Sequence, residues 1–151
     1  MASESSVKAE LDAVHERARK AYLERDLAAY LGTFHEDLEY RQVDGRTIGR
    51  ERLERDVRKQ LGRVHAAATE FRRDMLEISP DGVSAVEEGE QHARFEVRAF
   101  AVVHRAWSLR RRGRYEWVRS TAGWQIRRVE VLQEEMTSRV WLGLGPNTPA
   151  A

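Results

Sequence analysis

Hydrophobic residues recur every three or four positions along the first part of the chain. Leu11, Val14, Ala18 and Tyr22 follow this spacing, and charged residues occupy most positions between them. This is the period of an amphipathic α-helix, which buries one face and exposes the other. The pattern therefore predicts a first helix that packs its apolar stripe against the rest of the domain.

Two further helices are predicted. Asp26 can cap a short second helix, because its carboxylate can accept a hydrogen bond from a backbone N–H of the first turn. The apolar positions of that helix are Leu27, Tyr30, Leu31 and Phe34. From Gly49 the period is helical again and predicts a third helix. Its apolar positions are Leu53, Val57, Leu61 and Val64.

A pair of short strands is predicted between the second and third helices. Residues 38–43 alternate between apolar and polar side chains, which is the period of a strand with one buried face. Asp44 and Gly45 form a turn signal, and Thr47 and Ile48 can return as a short second strand.

The second half of the chain has the alternation of β-sheet. Residues 69–78 form one predicted strand, which ends in the turn sequence Ser79-Pro80-Asp81-Gly82. The run over 83–110 is too long for one ordinary strand, and Gly89 predicts a bulge or bend inside it. Another turn is predicted at residues 111–114, with a bulge in a longer strand as the alternative.

The last β-rich segment is a predicted hairpin with a tight turn at residues 120–123. Its simplest register puts Trp117 opposite Ile126 and, on the same face, Tyr115 opposite Arg128. That face would carry Tyr115, Trp117, Trp124, Ile126, Arg128 and Glu130. The turn at 111–114 would add Phe100, Val102, His104, Ala106 and Ser108 to it. Such a mixture of aromatic and charged groups is typical of the wall of a small cavity.

Composition narrows the class. The 151 residues are 41% apolar, enough for one domain with a modest core, and helices followed by strands predict an α+β fold. A net charge of +1 gives no field that would attract nucleic acid. Without cysteine there are no disulfides or thiolate metal sites. No apolar run approaches the roughly 18 residues of a membrane span, and the start lacks signal-peptide features. We expect a cytoplasmic protein without nucleic-acid or membrane partners.

The domain is expected to occupy residues 1–136. Residues 137–151 are rich in small residues and proline towards their end and are predicted to form a flexible C-terminal tail. Within this tail, Trp141 and Leu142 are the residues that could anchor it to the domain.

In their order, these elements resemble the NTF2-like cone fold, and within it the SnoaL-like and ketosteroid-isomerase-like branch. The likeness covers residues 7–136. It is carried by Asp26-Leu27, Phe34, Asp44-Gly45-Arg46-Thr47-Ile48-Gly49-Arg50 and Gly123-Trp124-Gln125-Ile126. The resemblance implies three N-terminal helices packed in the concave face of a curved, mostly antiparallel sheet.

The catalytic residues of these relatives transfer only in part. The first-helix tyrosine of the ketosteroid isomerases falls at Ala18 and their general-base aspartate at Gln42, so neither is retained. In SnoaL-like cyclases an acidic residue on the final strand is the base, and Glu130 lies close to that position. Scytalone-dehydratase-like members use tyrosine and histidine in the cavity. The corresponding candidates here are Tyr22, Tyr40, His92 and His104.

Each catalytic candidate has a structural alternative. Glu130 beside Arg128 is either a general base paired with a cation inside the cavity or half of a salt bridge at its rim. His104 is either a proton relay or a hydrogen-bonded core histidine. In the catalytic interpretation Arg128, His104 and Tyr40 orient the substrate or stabilise developing oxyanion charge.

The other predicted cavity residues are mostly apolar or aromatic, as in most ligand pockets, and core packing is the alternative for each. They are Tyr22, Gln42, Val57, Leu61, His92, Tyr115, Trp117, Trp124 and Ile126. No cofactor is predicted. No metal site is predicted either, because His35, His65 and His92 lie on different elements without a shared ligand spacing.

Two functions remain open at this stage. One is a small-molecule enzyme of SnoaL-like type, a cyclase, isomerase or dehydratase that moves protons on an apolar, carbonyl-bearing substrate. The other is a non-catalytic ligand-binding or dimerisation module. We also expect a homodimer through the convex sheet face, because its predicted apolar side chains exceed what a lone monomer exposes. They are Val103, Trp107, Leu109, Val129 and Val131.

Overall fold

The computed structural model describes residues 3–64, 66–100 and 103–142, with side chains described except at 66, 98–100, 141 and 142. The helices are α1 (Glu4–Leu23), α2 (Leu27–Leu31) and α3 (Arg50–Arg63). The strands are β1 (Phe34–Arg41), β2 (Thr47–Ile48), β3 (Ala66–Ile78), β4 (Ser84–Phe100), β5 (Val103–Ser120) and β6 (Gly123–Leu142). They form one curved sheet in the order β2-β1-β6-β5-β4-β3. Of these pairs β1 and β6 run parallel and the others antiparallel, which confirms the α+β class.

The helix boundaries follow local capping signals. The Asp26 carboxylate accepts a hydrogen bond of 3.1 Å from the Ala29 N–H, as predicted for the cap of α2. This helix is shorter than predicted, because Phe34 is the first residue of β1. The Ile126 N–H donates a hydrogen bond of 2.8 Å to the carbonyl oxygen of Thr33, so pairing with β6 takes over where the helix ends.

One face of the sheet is covered by the helices. The predicted apolar stripes of α1 and α3 are buried except at Ala18, which is partly buried, and Leu11 of α1 is fully buried. Complete burial of a leucine side chain stabilises the fold by roughly 1.5–3 kcal/mol. The stripes share one core cluster with Trp124 and Ile126, so the predicted side of the sheet for these two residues is confirmed. We call this the inner face.

The turn predicted at residues 111–114 is wrong, because β5 runs through it without interruption. Arginines in and next to this segment are paired with carboxylates of other strands: Arg110 with Glu90 of β4 and Arg112 with Asp74 of β3. Arginines paired in this way with carboxylates of the same sheet are compatible with the interior of a strand, where the sequence predicted a turn.

Gly89 is also not a bulge. The nearby register shift lies in β3, between Arg73 and Met75, while β4 pairs with β5 regularly and puts Gly89 opposite Gly113. A Cβ atom at Gly89 would lie 2.4 Å from Cζ of Phe71, and one at Gly113 would lie 2.9 Å from the Tyr115 hydroxyl. These two glycines therefore leave space for two aromatic rings on the inner face.

The unbroken β5 changes the predicted faces. Alternation along a continuous strand puts Leu109, Tyr115 and Trp117 on one face and His104 and Ala106 on the other. The prediction that His104, Ala106 and Ser108 join Tyr115 is therefore wrong, although His104 is only 2% exposed. Residue 102 and the side chain of residue 100 were assigned to the same face and lie outside the described part.

Strand β6 contains two single-residue bulges opposite β5. The predicted pair of Trp117 with Ile126 is confirmed, but Tyr115 pairs with Val129, because one residue of β6 is skipped between the two pairs. A second residue is skipped where Gly113 pairs with Val131. Each bulge reverses the alternation of side chains along the bulged strand.

The first bulge overturns two assignments. Val129 is 1% exposed and Val131 is 6% exposed on the inner face, so Arg128 and Glu130 point to the opposite, outer face. The prediction that Arg128 and Glu130 share the face of Tyr115 is wrong for this reason.

The outer face is charged where an apolar surface was predicted. Leu109, Val129 and Val131 belong to the core, and Trp107 packs partly buried against it. The outer side carries ion pairs instead, among them Arg112 with Asp74 at 2.6 Å. The homodimer remains a prediction. The described residues do not form the apolar outer surface on which that prediction was based.

The predicted tail begins too early. Residues 137–142 continue β6, whereas 143–151 and the side chains of the two predicted anchors at 141 and 142 lie outside the described part. Among the described helices, none is long and apolar enough to cross a membrane.

Candidate functional site

A cavity of about 500 Å³ lies between the helices and the inner face of the sheet. We call it the inner cavity. All four tyrosines of the chain line it, and they come from α1, α2, β1 and β5. They are Tyr22, Tyr30, Tyr40 and Tyr115. Its apolar wall consists of Phe34, Phe71, Phe95, Leu109, Ile126 and Val129. The cavity thus combines an apolar body with hydroxyl groups, as small-molecule sites do.

A fully buried carboxylate lies beside this cavity. Glu87 of β4 is 0% exposed and is held by three side chains. His15 Nε2 lies 2.8 Å from its Oε1, and Trp117 Nε1 donates to the same oxygen over 3.1 Å. Arg73 Nε donates to Oε2 over 2.7 Å. A second carboxylate, Asp12, lies 2.7 Å from the Arg73 guanidinium and is largely exposed, so the cluster extends to the cavity mouth.

The hydrogen bonds define the protonation of this cluster. Burial alone would raise the pKa of Glu87, but hydrogen bonds from His15 and Arg73, together with the charges of the guanidinium and of the imidazole when it is protonated, outweigh burial and lower the pKa. An ionised carboxylate only accepts hydrogen bonds, so His15 Nε2 must carry the proton of their shared bond. In the neutral imidazole Nδ1 is then the proton acceptor. A histidine oriented by a carboxylate in this way is suited to act as a general base.

Packing holds the imidazole in this orientation. The His15 ring stacks on Phe71 with 4.3 Å between centroids and meets Trp117 edge-on at 5.3 Å. Phe71 in turn occupies the space left by Gly89. His15 lies two helical turns from Tyr22, and this seven-residue spacing puts both side chains on one face of α1.

A second polar centre lies further along the cavity. Arg111 Nε donates to Glu134 Oε2 over 2.8 Å, and each side chain is one quarter exposed. The β6 bulges place Glu134 on the inner face, opposite Arg111. Burial raises the pKa of Tyr40, and the charge of Arg111 opposes this rise. Burial likewise raises the pKa of Tyr30 and Tyr115, so these hydroxyls stay protonated at neutral pH.

The Tyr22 hydroxyl is buried and has no hydrogen-bond partner among the described residues. Burial raises the pKa of Tyr22 to about 12, and Arg111 opposes the rise. An unpaired buried hydroxyl is costly, because it has lost its hydrogen bonds to water. A hydroxyl in this state on the wall of a cavity is suited to donate a hydrogen bond to a bound oxygen atom.

A wider cavity of about 970 Å³ opens between α3 and strands β1, β4, β5 and β6. It lies on the same side of the sheet as the inner cavity, and we call it the outer cavity. It shares part of its wall with the inner cavity, including Tyr30, Tyr40 and Arg111. The two cavities are therefore adjoining compartments, and Arg111 lies at their boundary.

The predicted cavity residues are divided between these compartments and the core. Tyr22, Tyr115 and Ile126 line the inner cavity, Tyr40 lines both, and Gln42 and Val57 line the outer one. The others do not line either compartment. They are Leu61, Trp117 and Trp124, which are core residues, and His92.

Those four residues have structural contacts. Trp117 supports Glu87, and Trp124 Nε1 donates to Glu10 Oε2 over 2.6 Å, which ties α1 to β6. His92 lies 2.7 Å from Glu90 on the outer face. The prediction that His92 lines the cavity is therefore wrong.

The catalytic residues proposed from the sequence are not brought together. Arg128 lies 3.5 Å from Glu116 on the outer face, where both side chains are nearly half exposed. Glu130 also lies on this face, and His104 lies there in a buried position. Of the four, Tyr40 alone lines the cavity.

Sequence reasoning missed the residues that form the two polar centres. His15 was detectable, since its seven-residue spacing from the predicted cavity residue Tyr22 on an amphipathic helix predicts a shared face. The sequence signal for Glu87 was weaker. Glu87 alternates with Ala85 and Gly89, and these positions face the core in only one of the possible strand registers. Within the described residues, no group of three His, Asp or Glu side chains could hold a metal ion, and His65 lies outside them.

Comparison with known proteins identifies the fold. Neither a family model nor a curated protein matches the sequence. Among solved structures, a candidate scytalone dehydratase from Novosphingobium aromaticivorans is 11% identical, with a TM-score of 0.71 over 85% of both chains. A hexachlorocyclohexane dehydrochlorinase, LinA type 2, is 11% identical, with a TM-score of 0.66 over 86% of this chain and 88% of that one.

A third structure carries the fold name itself. An NTF-2 like protein of unknown function from Shewanella oneidensis is 13% identical, with a TM-score of 0.60 over 82% of this chain and 97% of that one. At these identities the likeness identifies the fold alone. The chain has the NTF2-like fold that its sequence resembles.

Proposed function

We propose that this protein is a small-molecule enzyme that moves a proton on an apolar, carbonyl-bearing substrate bound in the inner cavity, with His15 as the general base. The observation that carries the proposal is the 2.8 Å contact between His15, on the cavity wall, and the fully buried, ionised Glu87. Cyclisation, isomerisation and dehydration all begin with such a proton transfer.

The proposed mechanism begins at His15 Nδ1, which takes a proton from the carbon next to the substrate carbonyl. The C–H electron pair becomes the enolate, and Glu87 stabilises the imidazolium that forms. The Tyr22 O–H donates a hydrogen bond to the developing oxyanion, in a cavity where low polarity strengthens that bond. The imidazolium then returns the proton, to another carbon in an isomerisation or to a departing hydroxyl in a dehydration.

The structural neighbours support this class of reaction. Two of them are named a candidate dehydratase and a dehydrochlorinase, and both names denote elimination from a small molecule. We further propose that the helices close the wide end of a cone-shaped sheet, which would shield the enolate from water.

The experiment measures exchange of the α-protons of 2-tetralone in D2O by NMR. His15→Gln can keep the hydrogen bond to Glu87 but removes the proton acceptor, so we expect exchange to slow about 100-fold or more. His92→Gln, on the outer face, is the matched control and should exchange as the wild type does. Equal rates in wild type and His15→Gln would contradict the proposal.

A second function is supported by the saturation of Glu87. Three donors bind its carboxylate, which is also what a structural ion cluster requires, and a non-catalytic binding module would use the cavity without chemistry. In that case the wild type would bind 2-tetralone without exchanging its protons, and His15→Gln would lower the melting temperature while leaving affinity unchanged.

A further inference from the structure

Among the described residues, Arg111 is the only arginine in the wall that the two compartments share. Its Nε is committed to Glu134 over 2.8 Å. The two terminal nitrogens, which carry four N–H donors, make no hydrogen bond to a described residue. Neither nitrogen is among the fully enclosed atoms that lack a partner, so both reach accessible space, and the Arg111 side chain lines both cavities.

The surroundings of Arg111 are rich in donors and poor in acceptors. Tyr22, Tyr30, Tyr40 and Tyr115 all lie close enough for its charge to act on their pKa values. Each of these hydroxyls is protonated, and none donates to a described side chain. Glu134 is the single carboxylate paired with this arginine. A ligand that satisfies the group must therefore supply acceptor oxygens.

The geometry of Arg111 favours a planar acceptor with two oxygens. Glu134 holds the guanidinium by one edge, which leaves the terminal nitrogens in the fixed fork that matches a carboxylate. A neutral carbonyl has one oxygen and no charge, so it would use only part of this fork. The carboxylate is thus the chemical group that fits the site best.

The distance between the two polar centres sets the size of the ligand. Arg111 is paired with Gln91, and Tyr115 is paired with Glu87, four residues away along the same strands. At about 3.3 Å per residue this is a separation of about 13 Å at the backbone. Phe71, Phe95, Leu109 and Val129 belong to the wall of the same cavity.

We propose that the substrate is an apolar carboxylic acid, whose carboxylate is bound by Arg111 and the tyrosine hydroxyls while its reactive carbon lies against His15. The side chains of Arg111 and His15 extend into the cavity from its two ends. The substrate carboxylate and the reactive carbon are therefore on the order of 10 Å apart or less. This matches a body of about two fused rings. Only the reactive end rests on the proposed function, because binding of the carboxylate requires no catalysis.

The test measures binding of 2-naphthoate and of methyl 2-naphthoate, at pH 7.5, by calorimetry. The two probes share one apolar body and differ in charge, and we expect the acid to bind at least tenfold more tightly. Arg111→Gln should weaken binding of the acid by about 10- to 100-fold, the range of a charge-assisted hydrogen-bond pair, and leave the ester unchanged. Arg112→Gln, the next residue on β5, is the matched control, because Arg112 pairs with Asp74 on the outer face.

Glu134→Gln provides a variant with the opposite expectation. It removes the carboxylate that competes for Arg111, so the acid should bind several-fold more tightly, and this gain also tests the site if Arg111→Gln folds poorly. Equal affinity of acid and ester in the wild type would overturn the proposal, as would unchanged acid binding in folded Arg111→Gln. The exchange experiment uses a neutral ketone, so its failure and the failure of this proposal are distinguishable.

Discussion

Glu87 is the residue on which both the candidate chemistry and the stability of the inner face depend. Three hydrogen-bond donors compensate its carboxylate for the loss of water. In return, the carboxylate fixes the orientation of Trp117 and His15. A buried carboxylate with complete hydrogen bonding can be close to neutral for stability, whereas removing one member leaves the others uncompensated.

Replacing Glu87 with Gln should therefore be strongly destabilising, by roughly 3 kcal/mol at pH 7, because the Arg73 charge loses its buried partner. Urea unfolding measures this loss. Glu130→Gln, on the outer face, is the matched control and should change stability little. A Glu87→Gln protein as stable as the control would mean that the cluster contributes nothing.

The ionisation of Glu87 also predicts that the free energy of unfolding depends on pH. The pKa of Glu87 is lowered in the folded state from its ordinary value of 4.5, so its contribution is present above about pH 4.5 and is lost as pH falls through the folded value. Wild type should lose stability over this acid range, and Glu87→Gln should lose less. Identical acid profiles would contradict the assignment of an ionised Glu87.

At the scale of elements, the paired glycines of β4 and β5 shape the cavity wall. Gly89→Ala brings a Cβ within 2.6 Å of the Arg72 carbonyl oxygen as well as onto Phe71, so backbone must move. We expect a cost of about 1–3 kcal/mol and a displaced Phe71, visible in urea unfolding and near-ultraviolet circular dichroism.

Gly62→Ala is the matched control for this experiment. Gly62 lies in α3, and a Cβ there meets nothing within 4 Å. Alanine is the better helix former, so this variant should gain up to about 1 kcal/mol. Destabilisation of both variants by the same amount would show that the cost at Gly89 is unrelated to Phe71.

The helices were predictable because a 3.6-residue period is repeated over several turns, as in α1 and α3. The faces of β6 were not predictable, because nothing in the sequence at Arg127 or Leu132 indicates a bulge. Each bulge exchanges the two faces for the residues that follow it. The candidate site depended on those faces. Its aromatic part was assigned to the correct face, because Tyr115 lies on the regular strand β5 and Ile126 lies before the first bulge of β6. Arg128 and Glu130 follow that bulge and were assigned to the wrong face.

At the scale of the whole molecule, every tyrosine of the chain lies in one cavity. The pKa of each is raised in the folded state, to about 12 for Tyr22, from an ordinary value of 10.0. A raised pKa contributes stability that is complete below the unfolded value and is lost as pH rises through the folded value.

We therefore expect alkaline unfolding to begin above about pH 10 and to coincide with ionisation of the tyrosines. Tyrosinate absorbance at about 295 nm and far-ultraviolet circular dichroism, followed in one titration, provide the measurement. Tyrosinate that forms near pH 10 in a chain that is still folded would contradict the enclosed position of these side chains. No exposed tyrosine is present to obscure the result.

The bulges of β6 also bear on how this cavity could acquire a different chemistry. If Arg127 paired regularly with β5 and formed no bulge, Arg128 and Glu130 would replace Val129 and Val131 on the cavity wall, with no substitution at any of these positions. An apolar wall and an ionised one are thus encoded in the same strand, one residue of pairing register apart. Whatever stabilises the first bulge therefore decides which of the two walls this cavity has.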